Sequence, residues 1–264
     1  MTLGRAALYL ATAAGLGLLL RTLLKGPVPL WIALGAFFAY LAVAAAGVFF
    51  PRLQMFTRAV SRGSSKVPRI ALTFDDGPHP VHTPKVLDAL ERAGARATFF
   101  VIGCKVQDHP EIAAEIVRRG HEIGIHSLVH DRLLAARSGK RIVADLEAAR
   151  EAVRKATGQT PTLFRPPVGV TSPRVEEAVN KLGLTVVAWS VRGYDGLRGA
   201  RPDKVARRIA TSLRPGSIVL MHDAAERGDD EPAGVGALPA VLDAIASTKL
   251  EAVVVSELIE EEGT

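Results

Sequence analysis

Apolar and polar positions divide the chain into two unequal parts. From Ala6 to Phe50 the only charged residues are Arg21 and Lys25, whereas past Pro51 charged and apolar residues mix as in a soluble domain. Gly26 to Pro51 is uncharged over about 25 residues, with Pro27 and Pro29 at its start and Trp31 and Tyr40 within it. That length suffices to cross a hydrocarbon core of ~30 Å as a helix. Ala6 to Leu20 is a weaker apolar run of about 15 residues between Arg5 and Arg21. It falls below the usual minimum of ~17 unless Arg21 snorkels and Thr22 to Leu24 join it. No small-residue cleavage site precedes the second run, so residues 1–51 read as a membrane anchor of one or two helices rather than a cleaved signal.

A basic, polar stretch at 52–67 reads as a linker and ends in R-G-S-S-K. After it, short runs of Val, Ile and Leu predict strands at about 68–74, 97–101, 121–126, 162–165, 185–190, 217–221 and 251–255. Helical patterns fall between them. Thr83-Pro84, Pro110-Glu111 and Ser172-Pro173 supply cap residues or first-turn prolines, and Lys140 to Thr157 aligns Ile142, Val143, Leu146, Ala149 and Val153 on one face before Gly158. Strand and helix alternating through about seven units predicts an α/β architecture of parallel strands with right-handed crossovers. About 195 residues fall short of the ~250 of a complete eight-unit barrel, so a distorted (β/α) barrel over 68–259 is expected, with a tail at 260–264. No glycine-rich phosphate loop follows the first strand, which argues against a nucleotide-binding sheet.

The chemistry-bearing residues collect at predicted carboxyl ends of strands. Asp75 and Asp76 follow the first, His126 and His130 the third, Arg165 the fourth, Asp195 the fifth and His222 the sixth. In a parallel barrel those ends share one face, where the loops build the active site. Adjacent carboxylates repel, so one of them holds a proton or a cation lies close by. Taken alone, D-D-G-P is also an ordinary strand-to-loop turn. Two imidazoles four residues apart, with a carboxylate from another strand end, supply the three ligands of a catalytic zinc site with one position open. One aspartate then binds the metal while the other takes a proton from water, and Arg165 is placed to pair with that base. His222 is the natural general acid, oriented by Asp195, although Y-D-G also reads as a plain turn. His79, His82, His109 and His121 are expected in solvated loops or helix starts, and Asp229, Asp230 and Glu231 in a solvated acidic loop.

Charge narrows the partners. A net charge of +6 and a pI near 9.7 fit an anionic membrane surface or an acidic polymer. The basic residues are too dispersed for nucleic acid, and aromatics are only 5%, so stacking platforms for bases are not expected. The single cysteine, Cys104, excludes an internal disulfide and a cysteine-based zinc cluster.

With those residues in hand, the chain resembles the polysaccharide deacetylase family, the NodB-homology domain of carbohydrate esterase family 4. The likeness runs from about Arg69 to Ile259 and rests on five motifs in the family's order. These are T-F-D-D-G at 73–77, H-S-x-x-H at 126–130, R-P-P-x-G at 165–169, W-S-V-R-G-Y-D at 189–195 and L-M-H at 220–222. The resemblance implies a distorted barrel and metal-dependent removal of N-acetyl groups from amino sugars. It implies Asp75 as the base, Asp76, His126 and His130 as ligands of a divalent metal, expected to be Zn²⁺, and His222 as the acid. Pro167, Val168 and Leu220 are the expected substrate and oxyanion residues. Val168 stands where the family usually has an aromatic, and Gly196 replaces a common tryptophan, which leaves one side of the pocket less walled.

The expected substrate is an amino-sugar polysaccharide such as peptidoglycan or a chitin-like glycan. A lipid-linked amino sugar, deacetylated or deformylated, is the nearest alternative, and a membrane-anchored glycan-binding protein without chemistry is a second. Side of the membrane follows from the anchor. A single span with Arg5, Arg21 and Lys25 inside puts the domain outside the cytoplasm, the expectation carried forward, whereas a hairpin judged by basic residues puts it inside.

Overall fold

The computed structural model of the chain describes residues 2–260. Both apolar runs are helices. α1 (Leu3–Lys25) and α2 (Leu30–Phe49) pack against each other as a hairpin, and each is long and apolar enough to cross a membrane. At 1.5 Å per residue the 23 residues of α1 span ~34 Å, so the shorter run does extend through Arg21. Its guanidinium donates to the Gly26 carbonyl at 2.9 Å, at the hairpin turn.

The rest of the chain forms an incomplete α/β barrel. In chain order the elements are β1 (Ala59–Val60), β2 (Arg69–Asp75), α3 (His82–Arg92), β3 (Ala97–Val101), α4 (Gly103–Asp108), α5 (Pro110–Arg118) and β4 (Glu122–Ile125). Then come α6 (Gly139–Thr157), β5 (Leu163–Phe164), α7 (Pro173–Leu182), β6 (Thr185–Val187), β7 (Val191–Arg192), α8 (Pro202–Ser212), β8 (Ile218–His222), α9 (Ala233–Ser247), β9 (Glu251–Val253) and α10 (Val255–Glu260). The strands run parallel in the order β1-β6-β5-β4-β3-β2-β8-β7, with β9 paired to the first residues of β2. The two edges, β1 and β7, do not pair, and the gap is crossed by residues 62–63, where Gly63 donates to the Gly216 carbonyl.

Among the described residues nine strands replace the seven expected. The additional two, β1 and β7, are two residues each, too short for an apolar run to show. The stretch read as a polar linker at 52–67 therefore supplies an edge strand, Ala59 and Val60 pairing with Val186 and Val187. The expected tail at 260–264 lies outside the described residues apart from Glu260.

β2 is the axis of the domain. Ile70, Ala71, Leu72 and Phe74 are fully buried, as parallel strands covered on both faces require. The Phe74 and Phe99 rings stack at 5.1 Å, and helices α3, α6 and α9 close the outer layer with Leu87, Leu146 and Val241 at zero exposure. The same packing brings Asp75 into register with Phe100 on β3 and His222 on β8, so one end of the sheet gathers the polar residues.

Candidate metal centre and active site

That end of the sheet opens into a cleft of about 1020 Å³ lined by Asp75, Asp76, His126, His130, Trp189, Asp195, Leu220 and His222 among others. Strand termini therefore converge as a parallel barrel demands.

Three of the residues cluster so that they could hold a metal ion. Oδ1 of Asp76 lies 3.5 Å from Nε2 of His126 and 3.4 Å from Nε2 of His130, and all three side chains are buried. Asp76 Oδ1 has no hydrogen-bond partner, an arrangement that costs free energy unless a cation accepts the lone pairs. Two imidazoles, one carboxylate and an open side toward the cleft suit a catalytic divalent cation. Asp76 and His130 hold left-handed backbone conformations, with φ of 72° and 51°, as do Ser127, Val168 and Tyr194 around the same cleft. Such strain collects where side chains are aimed rather than packed.

Each outward ring nitrogen faces an oxygen, although only that of His126 makes a hydrogen bond. Nδ1 of His126 lies 2.6 Å from the Arg165 carbonyl, which sets its tautomer so that Nε2 faces the cluster. Burial pushes this imidazole below its usual pKa, against the pull of Asp75 and Asp76, and so favours the neutral form that ligates. Nδ1 of His130 lies 3.2 Å from Oε1 of Glu226, whose carboxylate is held in turn by Arg132. Glu226 follows β8, far from the histidine pair in sequence. Lys105 is the other residue no spacing announced: its ammonium donates to the carbonyls of Asp76 at 2.7 Å and Ala225 at 2.6 Å, tying the metal-side loop to the loop that carries Glu226.

Asp75 is kept off the ligand set by Arg165. The guanidinium is wholly buried and donates to Asp75 Oδ1 at 2.7 Å, Thr73 Oγ1 at 2.8 Å, and the carbonyls of Val187 and Ala188. It also lies over the Phe100 ring at 4.1 Å. The other carboxylate oxygen, Oδ2, is left 3.9 Å from His126 Nε2, facing the cluster. Arg165 thus pairs with Asp75 from within the core.

On the opposite wall, Asp195 grips His222 twice. Oδ1 is 3.1 Å from Nδ1, and Oδ2 accepts from the backbone N–H of His222 at 2.7 Å. Burial alone would lower the pKa of His222, but the hydrogen bond and charge of Asp195, with Asp75 and Asp76 beyond, outweigh it and raise the value to about 9. Val168 and Leu220 line the cleft together with Pro166 and Gly169, whereas Pro167 is buried outside its lining. Gly196 lies against the His222 ring, where an added Cβ would come within 3.2 Å of Cε1.

Three histidines expected in solvent are buried. His79 and His82 stack at 4.0 Å, with Asp229 and Glu231 3.6 Å and 3.7 Å from their Nε2 atoms, and His121 packs edge-on to Phe99. Asp229 is exposed, as expected for its loop, but that loop folds over the histidine pair.

Comparison with known proteins gives a consistent answer. A family model described as polysaccharide deacetylase matches residues 62–187. The chain is 40% identical over 171 residues to a chitooligosaccharide deacetylase of Sinorhizobium fredii, covering 64% of this chain and 78% of that one. It is 36% identical over 193 residues to a peptidoglycan-N-acetylglucosamine deacetylase of Bacillus cereus, covering 72% and 87%. Among solved structures, a peptidoglycan N-acetylglucosamine deacetylase bound to a hydroxamate-type benzamide superposes with a TM-score of 0.74 at 26% identity, covering 80% of this chain and 96% of that one.

Proposed function

The chain belongs to the polysaccharide deacetylase family, and from that premise we propose that it hydrolyses the N-acetyl groups of amino sugars in a glycan such as peptidoglycan or a chitin-like polymer. The products are acetate and a free amino sugar. The relatives named for peptidoglycan and chitooligosaccharides support the substrate class. The single observation that carries the chemistry is the placement of an arginine-held carboxylate, Asp75, and an aspartate-held imidazole, His222, on neighbouring strands beside the Asp76, His126 and His130 set.

Asp76, His126 and His130 would hold a divalent cation, and the nitrogen-rich set favours Zn²⁺. When bound, such a cation supplies Lewis acidity, polarising the acyl oxygen and lowering the pKa of water towards ~7. Asp75 takes the proton of the attacking water through Oδ2, the oxygen Arg165 leaves free. The water oxygen bonds to the acyl carbon, and the backbone N–H of Val168, at the cleft wall, donates to the oxyanion that forms. His222, protonated at neutral pH, delivers its proton to the nitrogen as the carbon–nitrogen bond breaks, and Asp195 stabilises the imidazolium beforehand.

α1 and α2 anchor the enzyme in a membrane in this reading, as a hairpin that leaves the start of α1 and the catalytic domain on the same side. A glycan-binding role without chemistry leaves the paired base and acid without a purpose. The test is Asp75→Asn in the full chain: cation binding is retained and acetate release from N-acetylchitooligosaccharides is lost. Full activity in that variant overturns the assignment.

A further inference from the structure

The surface around the cleft is unlike the rest of the domain. Among the described residues past Phe50, the exposed large apolar side chains are Val81, Val129, Leu133, Val168, Tyr194 and Leu197. Each follows the carboxyl end of a strand: Val81 after β2, Val129 and Leu133 after β4, Val168 after β5, Tyr194 and Leu197 after β7. Val168, Tyr194 and Leu197 line the mouth itself, and Val81, Val129 and Leu133 follow strands that end on its side of the sheet. Soluble surfaces scatter such residues singly, so their concentration marks a contact face.

Arginines are interleaved with them. Arg132, Arg192, Arg198 and Arg227 line the same mouth beside Glu226, Asp230 and Glu231; Arg132 and Arg227 both pair with Glu226, yet their side chains stay 63% and 85% exposed. Apolar side chains mixed with guanidinium groups match the interfacial layer of an anionic bilayer, where the former reach the acyl boundary and the latter meet phosphates. The rim suits sugar stacking poorly. Its exposed aromatic among the described residues, Tyr194, has its ring covered by the guanidiniums of Arg192 at 4.1 Å and Arg208 at 5.1 Å, and the other aromatic of the cleft, Trp189, is half-buried.

The anchor meets the domain at this same rim. The carbonyl of Val48, in the last turn of α2, accepts from the backbone N–H of Thr171 at 3.2 Å. Thr57 donates to the Ser172 carbonyl at 3.4 Å, and Arg5, at the start of α1, lies 3.9 Å from Glu176. Val168, at the lip of the cleft, is three residues before Thr171, a span of at most ~11 Å of chain. The lip therefore lies close to the end of α2.

We propose that the rim of the cleft is a membrane-seating surface, so that the mouth faces the anionic bilayer spanned by the anchor and the glycan is deacetylated while still carried on a lipid. This rests on the deacetylase reading above. Confinement of enzyme and substrate to one surface raises their effective concentration, which a soluble polymer cannot share.

Two measurements on the full chain in phosphatidylglycerol-containing vesicles test the proposal. In a Cys104→Ser background, an environment-sensitive fluorophore on Leu133→Cys shifts to the blue and is quenched by nitroxide-labelled lipid, whereas one on Gln159→Cys, before β5, is not. Equal behaviour at the two sites overturns the seating. Acetate release is then compared for an N-acetylglucosamine tetramer on a polyprenyl diphosphate in the same bilayer and for the free tetramer. The lipid-borne form is cleaved faster by about tenfold or more, and Leu133→Asp with Val81→Asp removes most of that advantage without slowing the free tetramer. Equal rates on the two forms overturn the seating and leave the deacetylase reading standing. No acetate from either, with Zn²⁺ bound, overturns the deacetylase reading and this proposal with it.

Discussion

Arg165 holds Asp75 with its side chain and His126 with its backbone: Nη1 is 2.7 Å from Asp75 Oδ1, and the Arg165 carbonyl is 2.6 Å from His126 Nδ1. One residue at the end of β5 therefore positions both the proposed base and a proposed metal ligand. Removing the guanidinium leaves Asp75 buried and uncompensated. Arg165→Met should cost about 3–5 kcal/mol of stability and lower turnover by orders of magnitude, as read from denaturant unfolding and initial rates. Arg165→Lys should rescue little, because one ammonium cannot meet Asp75, Thr73 and two carbonyls from fixed directions.

His222 and Asp195 set the alkaline limit. The imidazole must be protonated to act as an acid, and its pKa is raised to about 9. The rate should hold through neutral pH and fall as pH rises through about 9. Asp195→Asn removes the hydrogen-bonded charge, so the alkaline limb of the kcat profile should move to lower pH. Stability follows the same sign: with a folded value above the ordinary ~6.5, the pair's contribution is complete below that value and lost as pH climbs through about 9.

Glu226 stands 3.2 Å from the outward nitrogen of His130 and should matter to cation affinity before it matters to anything else. Glu226→Gln is expected to weaken Zn²⁺ binding by about tenfold or more, measured by competition with a chromogenic chelator. Thermal stability of the metal-free protein should change little, since the Glu226 side chain sits at the cleft wall rather than in the core.

Asp223, next to His222, is fully buried against Thr83, with its Oδ1 unpartnered, and burial raises its pKa to about 7. The folded state then binds a proton that the unfolded chain releases near pH 4, so this residue's contribution to stability falls as pH rises from about 4 to 7. Asp223→Asn should flatten that decline, making the variant relatively more stable at pH 8 than at pH 4 in paired unfolding curves.

The sheet's carboxyl ends were legible because each buried strand is an apolar run that stops at a polar residue, as Leu72 to Asp76 shows. Two-residue strands leave no such run, which hid β1 and β7. Glu226 and Lys105 were hidden for another reason: what they do is fixed by which loops meet over the cleft, and no local spacing encodes that. The buried His79 and His82 follow suit, their carboxylate neighbours lying some 150 residues away on the loop after β8.

Cation-dependent N-deacetylation is read out by acetate release from N-acetylchitooligosaccharides incubated with the full chain. Release should stop when a chelator strips the cation and resume when Zn²⁺ is restored. Release that persists undiminished after stripping, or no release with Zn²⁺ bound to Asp76, His126 and His130, would contradict it.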